Sequence, residues 1–128
     1  MAFFLDQSES YSWPVTVKVP QDGGKFRSLT FDAVFQRVST ERQEELGRQL
    51  LRQRTRIDIG ETDDLLTPRQ IASELLVGWE GIKDKEGEKG QDVPYSESTK
   101  ARLLNIPEVV NAILDSWNKS VPEAKLKN

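Results

Sequence analysis

The chain contains no cysteine and no histidine. Without a thiol it can make no disulfide and offers no thiolate nucleophile, and ordinary zinc sites lose both of their usual ligands. Without an imidazole, the usual proton shuttle near neutral pH is absent, and Ser-His-Asp arrangements with it. Catalysis would have to rest on Asp, Glu, Lys, Arg, Tyr or an oxygen-bound metal. Long apolar runs are missing too. Met1-Ala2-Phe3-Phe4-Leu5 has no basic residue and stops at Asp6. That is too short for a signal peptide, and no run approaches the roughly 20 residues that a membrane-spanning helix needs. The expected location is therefore the cytoplasm. Nor is one sign of charge in large excess: 18 Lys and Arg face 21 Asp and Glu, a formal net charge of −3. No whole-protein field argues for nucleic acid or a membrane surface.

At 128 residues the chain suits one domain, large enough to bury most of a single core. A hydrophobic share of 36%, a charged share of 30% and a mean hydropathy of −0.60 fit a modest core with long polar loops. Residues 1–12 are expected to form a flexible N-terminal segment, with Phe3 and Phe4 available as an anchor. Trp13, Val15, Val17 and Val19 then alternate with Pro14, Thr16 and Lys18, a period of two that predicts a half-buried strand closed by Pro20. Gln21-Asp22-Gly23-Gly24 is hairpin-turn chemistry, because glycine tolerates positive φ. Phe26, Leu29, Phe31 and Phe35 follow in a return strand.

Thr40-Glu41-Arg42-Gln43 matches a capping box, opening a helix expected to reach about Arg54 with Leu46, Leu50 and Leu51 inward. Ile57 and Ile59 alternate with Arg56 and Asp58, room for a short third strand. Thr67-Pro68-Arg69-Gln70 joins a second capping box to a proline at the first helical position. Ile71, Leu75 and Trp79 recur at four-residue spacing beside Ala72 and Leu76, which predicts one apolar helix face through Trp79. Asp84 to Asp92 is polar apart from its glycines and reads as a solvated loop. After Tyr95, either Ser96 or Ser98 caps a short helix carrying Ala101, Leu103 and Leu104. Pro107 opens a last helix, with Val109, Ile113 and Trp117 in one row and Val110 and Leu114 beside them. Residues 118–128 are expected to be a flexible tail, leaving 13–117 as the single domain.

Four groups could carry chemistry. Asp58, Glu61, Asp63 and Asp64 are the densest acidic set, and hard cations want several carboxylate oxygens. Their spacing matches no EF-hand loop, and they precede a helix N-terminus where negative charge is stabilising anyway. Asp84-Lys85-Glu86-Gly87 places its glycine fourth instead of sixth, so it fails the same pattern. Gly23-Gly24-Lys25 ends like a phosphate loop but lacks the upstream glycine, and Phe26 stands where Ser or Thr is needed. Arg48, Arg52 and Arg56 share a helix face if the helix extends that far, a candidate phosphate stripe. However, Glu44 stands one turn before Arg48, and no aromatic is interleaved for base stacking. No catalytic residue, cofactor or metal site is expected.

The order of parts carries a resemblance. A hairpin of the form V-x-V-P, G-G, F-x-A-x-F occupies Val17 to Pro20, Gly23-Gly24 and Phe31 to Phe35. A capped charged helix follows, then W-x-G-I-K-D at Trp79 to Asp84, V-P-Y-S at Val93 to Ser96, and L-L-x-I-P-x-V-V at Leu103 to Val110. This resembles the tail assembly chaperones of long-tailed bacteriophages over about Trp13 to Trp117. The turn between Gly87 and Val93 is longer than the family pattern, a change that loops tolerate. The resemblance implies a non-enzymatic assembly factor that coats the helical, aggregation-prone tape measure protein, brings tail tube subunits to it, and leaves before the virion is finished. Members of that family are often made in two forms, the longer by a −1 ribosomal frameshift, and Leu126-Lys127-Asn128 can be encoded through a slippery A-AAA-AAY; the favoured alternative is that the lysine-rich tail only keeps the protein soluble.

The expected fold is α+β, an N-terminal β-hairpin packed on three to four amphipathic helices. The expected partners are the tape measure protein and the tail tube protein, with self-association open and neither membrane nor nucleic acid involved. The candidate partner-binding residues are Leu75, Leu76, Trp79, Val109, Ile113 and Trp117, with core the favoured reading for the two tryptophans because a domain this small has few other large residues to fill it. The rival readings are a nucleic-acid-associated regulator using the arginine helix and a metal-dependent hydrolase using the acidic loop.

Overall fold

A computed structural model describes residues 1–60 and 65–121. In chain order it contains β1 (Ser10–Gln21), β2 (Lys25–Gln36), α1 (Thr40–Asp58), α2 (Pro68–Leu75), β3 (Leu76–Glu80), α3 (Glu97–Leu103) and α4 (Pro107–Ser120). The strands form an antiparallel sheet in the order β1-β2-β3. The architecture is α+β, as the sequence implies.

Strand alternation sorts the hairpin into two faces. Val15 and Val17 are buried, Trp13 and Val19 half-buried, while Ser12, Pro14, Thr16 and Lys18 are exposed. The register sets Tyr11 opposite Phe35, Trp13 opposite Ala33 and Val15 opposite Phe31, so both strands turn their large residues to one side. Gly23 and Gly24, at φ 84° and 78°, take the left-handed turn as expected. The strand begins earlier than Trp13: Ser10 to Ser12 are already paired with β2. Phe3 and Phe4 anchor nothing and are 80% and 69% exposed. Along the free edge of β1, Pro14 and Pro20 withhold N–H groups that could template another strand.

Helix α1 differs from expectation at both ends. Its N-cap is Ser39, whose hydroxyl accepts from the Arg42 amide at 3.1 Å, with Thr40 as the first helical residue. The Gln43 side chain donates to the Val38 carbonyl at 3.2 Å instead of closing a box on Thr40. The helix then runs to Asp58, so Ile57 and Ile59 are its last turn and C-cap, not a strand. Leu46 is fully buried and Leu50 partly, but Leu51 is 64% exposed. Five residues beyond Leu46 amount to about 140° of rotation, which carries Leu51 off the inward face. Gln53 returns to that face and is buried. It donates to the Leu66 carbonyl at 3.0 Å and accepts from the Leu66 amide.

Helix α2 starts as the sequence indicates. Thr67 accepts from the Gln70 amide at 3.1 Å, and the Gln70 side chain accepts from the Thr67 amide at 2.8 Å. It ends early, however. The chain leaves helical geometry at Leu76, and the Leu76–Glu80 segment becomes the third strand of the sheet. Trp79 pairs with Ala33, Gly78 with Val34 and Leu76 with Phe35, with a bulge between Val34 and Phe35. The bulge lets Leu76 and Trp79 both face the core despite their odd spacing. Gly78 suits this position because a Cβ there would lie 3.3 Å from the Val34 Cβ.

Ser96, not Ser98, caps α3, in a reciprocal arrangement with Thr99. Pro107 opens α4, which buries Val109, Val110, Ile113, Ser116 and Trp117 and packs on β1 and α2. The Tyr11 hydroxyl meets Ser120 Oγ at 2.7 Å, fixing the end of α4 to the start of β1. Asn118 to Ser120 are therefore helical and not tail, while residues from Pro122 onward lie outside the described residues. The core is one layer, between the inner sheet face and α2 with α4.

Candidate interaction surface

The six candidate partner-binding residues come together, but inside the molecule. Leu75, Leu76 and Ile113 have no exposed area, and Trp117, Val109 and Trp79 retain 1%, 6% and 8%. Both tryptophans are core residues in this conformation. A partner could reach Leu75, Leu76, Val109, Ile113 and Trp117 only after α2 or α4 moved, whereas Trp79 shows one edge to a surface groove.

Trp79 explains the motifs around it. Its indole N–H donates to the Val93 carbonyl at 2.7 Å, and its ring meets Tyr95 edge-on at 5.1 Å. The polar excursion between them closes as a narrow loop: Val93 N–H donates to the Ile82 carbonyl at 2.8 Å and Asp84 N–H to the Gln91 carbonyl at 3.0 Å. Lys83 and Asp92 form an ion pair at 2.7 Å across its base. Gly81, at φ 86°, starts the excursion where a Cβ would touch the Phe31 backbone at 3.7 Å. Lys100 is buried with its ammonium 3.3 Å from the Tyr95 hydroxyl and 5.7 Å from the ring centre. Thus W-x-G-I-K-D and V-P-Y-S form one contiguous unit. Their residues have a structural purpose: they pin the excursion to the edge of the sheet.

Outside this core, three groups of apolar side chains stand out on the surface among the described residues, besides single exposed residues such as Val77 and Ile106. Leu51, Ile57 and Ile59 stand exposed along α1, and Phe26 and Leu29 near the hairpin tip. Phe3, Phe4 and Leu5 form the third group, with Leu5 at 96%. A groove of about 200 Å³ lies beside Trp79, floored by Ile82, Val93 and Leu103 and edged by Ile106 and Arg102. Ile106 is 42% exposed on its rim. The groove is assembled from residues far apart in the chain, Trp79 to Asp84, Val93 and Thr99 to Ile106, and no single motif marks it. Its one local signal is Ile106 before Pro107, a helix N-cap with no side-chain hydrogen bond.

The charged groups hold structure together more than they form a site. Arg42 grips Glu74 through two hydrogen bonds, Nε to Oε2 at 2.8 Å and Nη2 to Oε1 at 2.5 Å, tying α1 to α2. Those bonds hold the Glu74 carboxyl below its ordinary value and, together with Glu74's charge, hold the Arg42 guanidinium above its own. Because α1 extends to Asp58, Arg48, Arg52 and Arg56 do share a helix face, with Arg48 and Arg52 exposed. Asp58 is exposed, while Glu61, Asp63 and Asp64 lie outside the described residues. Among the described residues no cluster of acidic side chains is placed to hold a metal ion. Nor is any described helix long and apolar enough to cross a membrane.

The chain is thus a small α+β protein with a closed core and several uncovered apolar groups. The family model described as YdaY prophage protein matches residues 31–125, from the middle of β2 past the end of α4. The chain belongs to that family, and it is a prophage protein. No curated protein and no solved structure matches it.

Proposed function

We propose that this prophage protein is a tail assembly chaperone of a long-tailed phage. It binds the tape measure protein, keeps that protein's amphipathic helices from aggregating, and helps recruit tail tube subunits. It acts in the host cytoplasm and is absent from the finished virion. It works by contact and not by catalysis.

The observation that carries this reading is the order of motifs from Val17 to Val110, found in a chain of a prophage family. That the Trp79 and Val93 motifs meet through a hydrogen bond supports it, because the resemblance then rests on residues that build one unit. The exposed Leu51, Ile57 and Ile59 are suited to contact with an amphipathic helix.

Co-expression with overlapping segments of the cognate tape measure protein tests the proposal. At least one segment should move from the pellet to the soluble fraction and co-purify. If no segment is rescued or retained, the chaperone reading is wrong.

A further inference from the structure

Among the described residues, Lys100 is the one charged side chain that is buried. It is 7% exposed, and no carboxylate pairs with it among those residues. Its polar partner is the Tyr95 hydroxyl at 3.3 Å, with the centre of the same ring 5.7 Å away. Both are neutral. Lysine is almost never buried without a counter-charge, because the ammonium loses hydration that a paired anion must replace. One hydroxyl also occupies only one of the three N–H donors of an ammonium. The unmatched charge and the spare donors point to an anion.

The cleft beside Lys100 supplies the space. Arg69, Gln70 and Ser73 of α2 form one wall, and Lys100, Ala101 and Leu104 line the other. Its volume is about 310 Å³, at the small end of ligand sites, which run from about 300 to 1,000 Å³. That suits a single side chain or a short acid. Arg69 is exposed and makes no ion pair among the described residues. The Gln70 Oε1 is taken up by the Thr67 amide, which leaves the Gln70 Nε2 to donate, and Ser73 brings a hydroxyl. Ala101 and the buried Leu104 offer an apolar wall for a methylene stem.

Charge selects the anion. Glu97 lines the same cleft one turn before Lys100 and is exposed, without an ion pair to it. Two cations, Arg69 and Lys100, against this one carboxylate leave a single positive charge. A carboxylate neutralises it, whereas a phosphate ester carries close to two negative charges. We propose that the α2–α3 cleft binds a carboxylate on a short aliphatic stem, with Lys100 and Arg69 as its cationic partners. The carboxylate comes from an acidic side chain of a partner polypeptide or from a free short-chain acid. The inference does not rest on the chaperone reading.

Titration of the full ¹⁵N-labelled chain, followed by two-dimensional NMR at constant ionic strength, tests the proposal. The probes are butyrate, the blocked tripeptide acetyl-Ala-Glu-Ala-amide and inorganic phosphate, with butyramide as the uncharged control. Amides from Arg69 to Ser73 and from Glu97 to Leu104 should shift together, with a Kd of about 1 mM or lower for at least one carboxylate. Butyramide should bind about tenfold more weakly or worse, and phosphate no more tightly than butyrate. Tighter binding by the tripeptide than by butyrate assigns the carboxylate to a polypeptide; otherwise it belongs to a free acid. Lys100→Met keeps the stem and removes the charge, so it should melt at or above the wild-type temperature and bind about tenfold more weakly. Arg69→Gln changes an exposed side chain and should weaken binding by about twofold or more, while Glu97→Gln should tighten it by about twofold. Shifts that never localise to the cleft, equal binding of butyrate and butyramide, or tighter binding of phosphate would overturn the proposal. So would a Lys100→Met protein that melts lower yet binds butyrate normally, because the ammonium would then serve Tyr95 alone. Unchanged binding in Arg69→Gln would overturn it whatever Lys100→Met does.

Discussion

Replacing Trp79 with alanine removes the side chain that joins the third strand to the excursion behind it. Trp79 is 92% buried by its 8% exposure, donates one hydrogen bond at 2.7 Å to the Val93 carbonyl, and stacks edge-on with Tyr95 at 5.1 Å. Tryptophan-to-alanine changes in cores cost about 3–5 kcal/mol, the spread reflecting how far the site collapses. Collapse is limited here, because Ala33 opposite is small and the bulge at Val34 already uses the local slack. The upper half of that range is therefore expected, about 4 kcal/mol. At roughly 3–5 °C per kcal/mol for a chain of this size, the melting temperature should fall by about 12–20 °C. Trp79→Phe keeps an aromatic ring beside Tyr95 and loses the N–H. Its cost should be about 1–2 kcal/mol, from the lost hydrogen bond and some volume. Thermal melts followed by circular dichroism, with urea titrations for the free energies, measure both. A Trp79→Ala protein that melts within a few degrees of wild type would refute the core assignment. If that stable variant also failed to retain the tape measure segment, Trp79 would be an interface residue.

Other substitutions test separate parts of the fold. Breaking the α1–α2 clasp with Glu74→Gln should cost about 1 kcal/mol or less at neutral pH, because both side chains are about one-third exposed. The Glu74 carboxyl is held below its ordinary 4.5 by Arg42, so its contribution is complete above that value and fades as pH falls through the lowered one. The difference between wild-type and Glu74→Gln melting temperatures should accordingly shrink from pH 6 toward pH 3, and a gap that widens in acid would contradict the pairing. Two glycines should respond with opposite signs. Gly47 is helical with nothing within 4 Å of an added Cβ, so Gly47→Ala should stabilise by about 0.5–1 kcal/mol. Gly81 sits at φ 86°, so Gly81→Ala should destabilise by about 1–2 kcal/mol in the same melts. Changing Arg48, Arg52 and Arg56 together to Gln should leave rescue of the tape measure segments largely intact, since surface charges contribute little singly. Salt-sensitive binding of the wild type to random duplex DNA would argue instead for a nucleic-acid role.

What could be read along the chain was whatever its chemistry settles within a few residues. The turn at Gly23-Gly24 needs positive φ, and only glycine supplies it cheaply. Thr67 with Gln70 and Pro68 satisfies a helix start from side chains three residues apart, and Pro107 is pre-set for the first helical position. These features were legible because no distant residue is required to complete them. The alternation from Trp13 to Val19 was legible for a related reason: a half-buried strand shows its two faces whatever packs against it.

Tertiary structure decided the cases where two local readings competed. Ile71, Leu75 and Trp79 fit a helix by spacing, yet Leu76 to Glu80 is equally apolar and short, a run that periodicity cannot assign. The unpaired edge of β2 decided it: Ala33 and Val34 offered a ladder to that segment, and Gly78 could approach Val34 where a larger residue could not. Ile57 and Ile59 met no such strand, and the α1 ladder simply ran on through them. The candidate contact residues divided on the same ground. An apolar helix face is visible in sequence, but whether it meets the chain's own sheet or a partner depends on what folds over it. Here the hairpin, β3 and α4 cover Leu75, Leu76, Trp79, Val109, Ile113 and Trp117, leaving Phe3, Phe4 and the groove at Ile106 on the surface because nothing within the described chain packs over them.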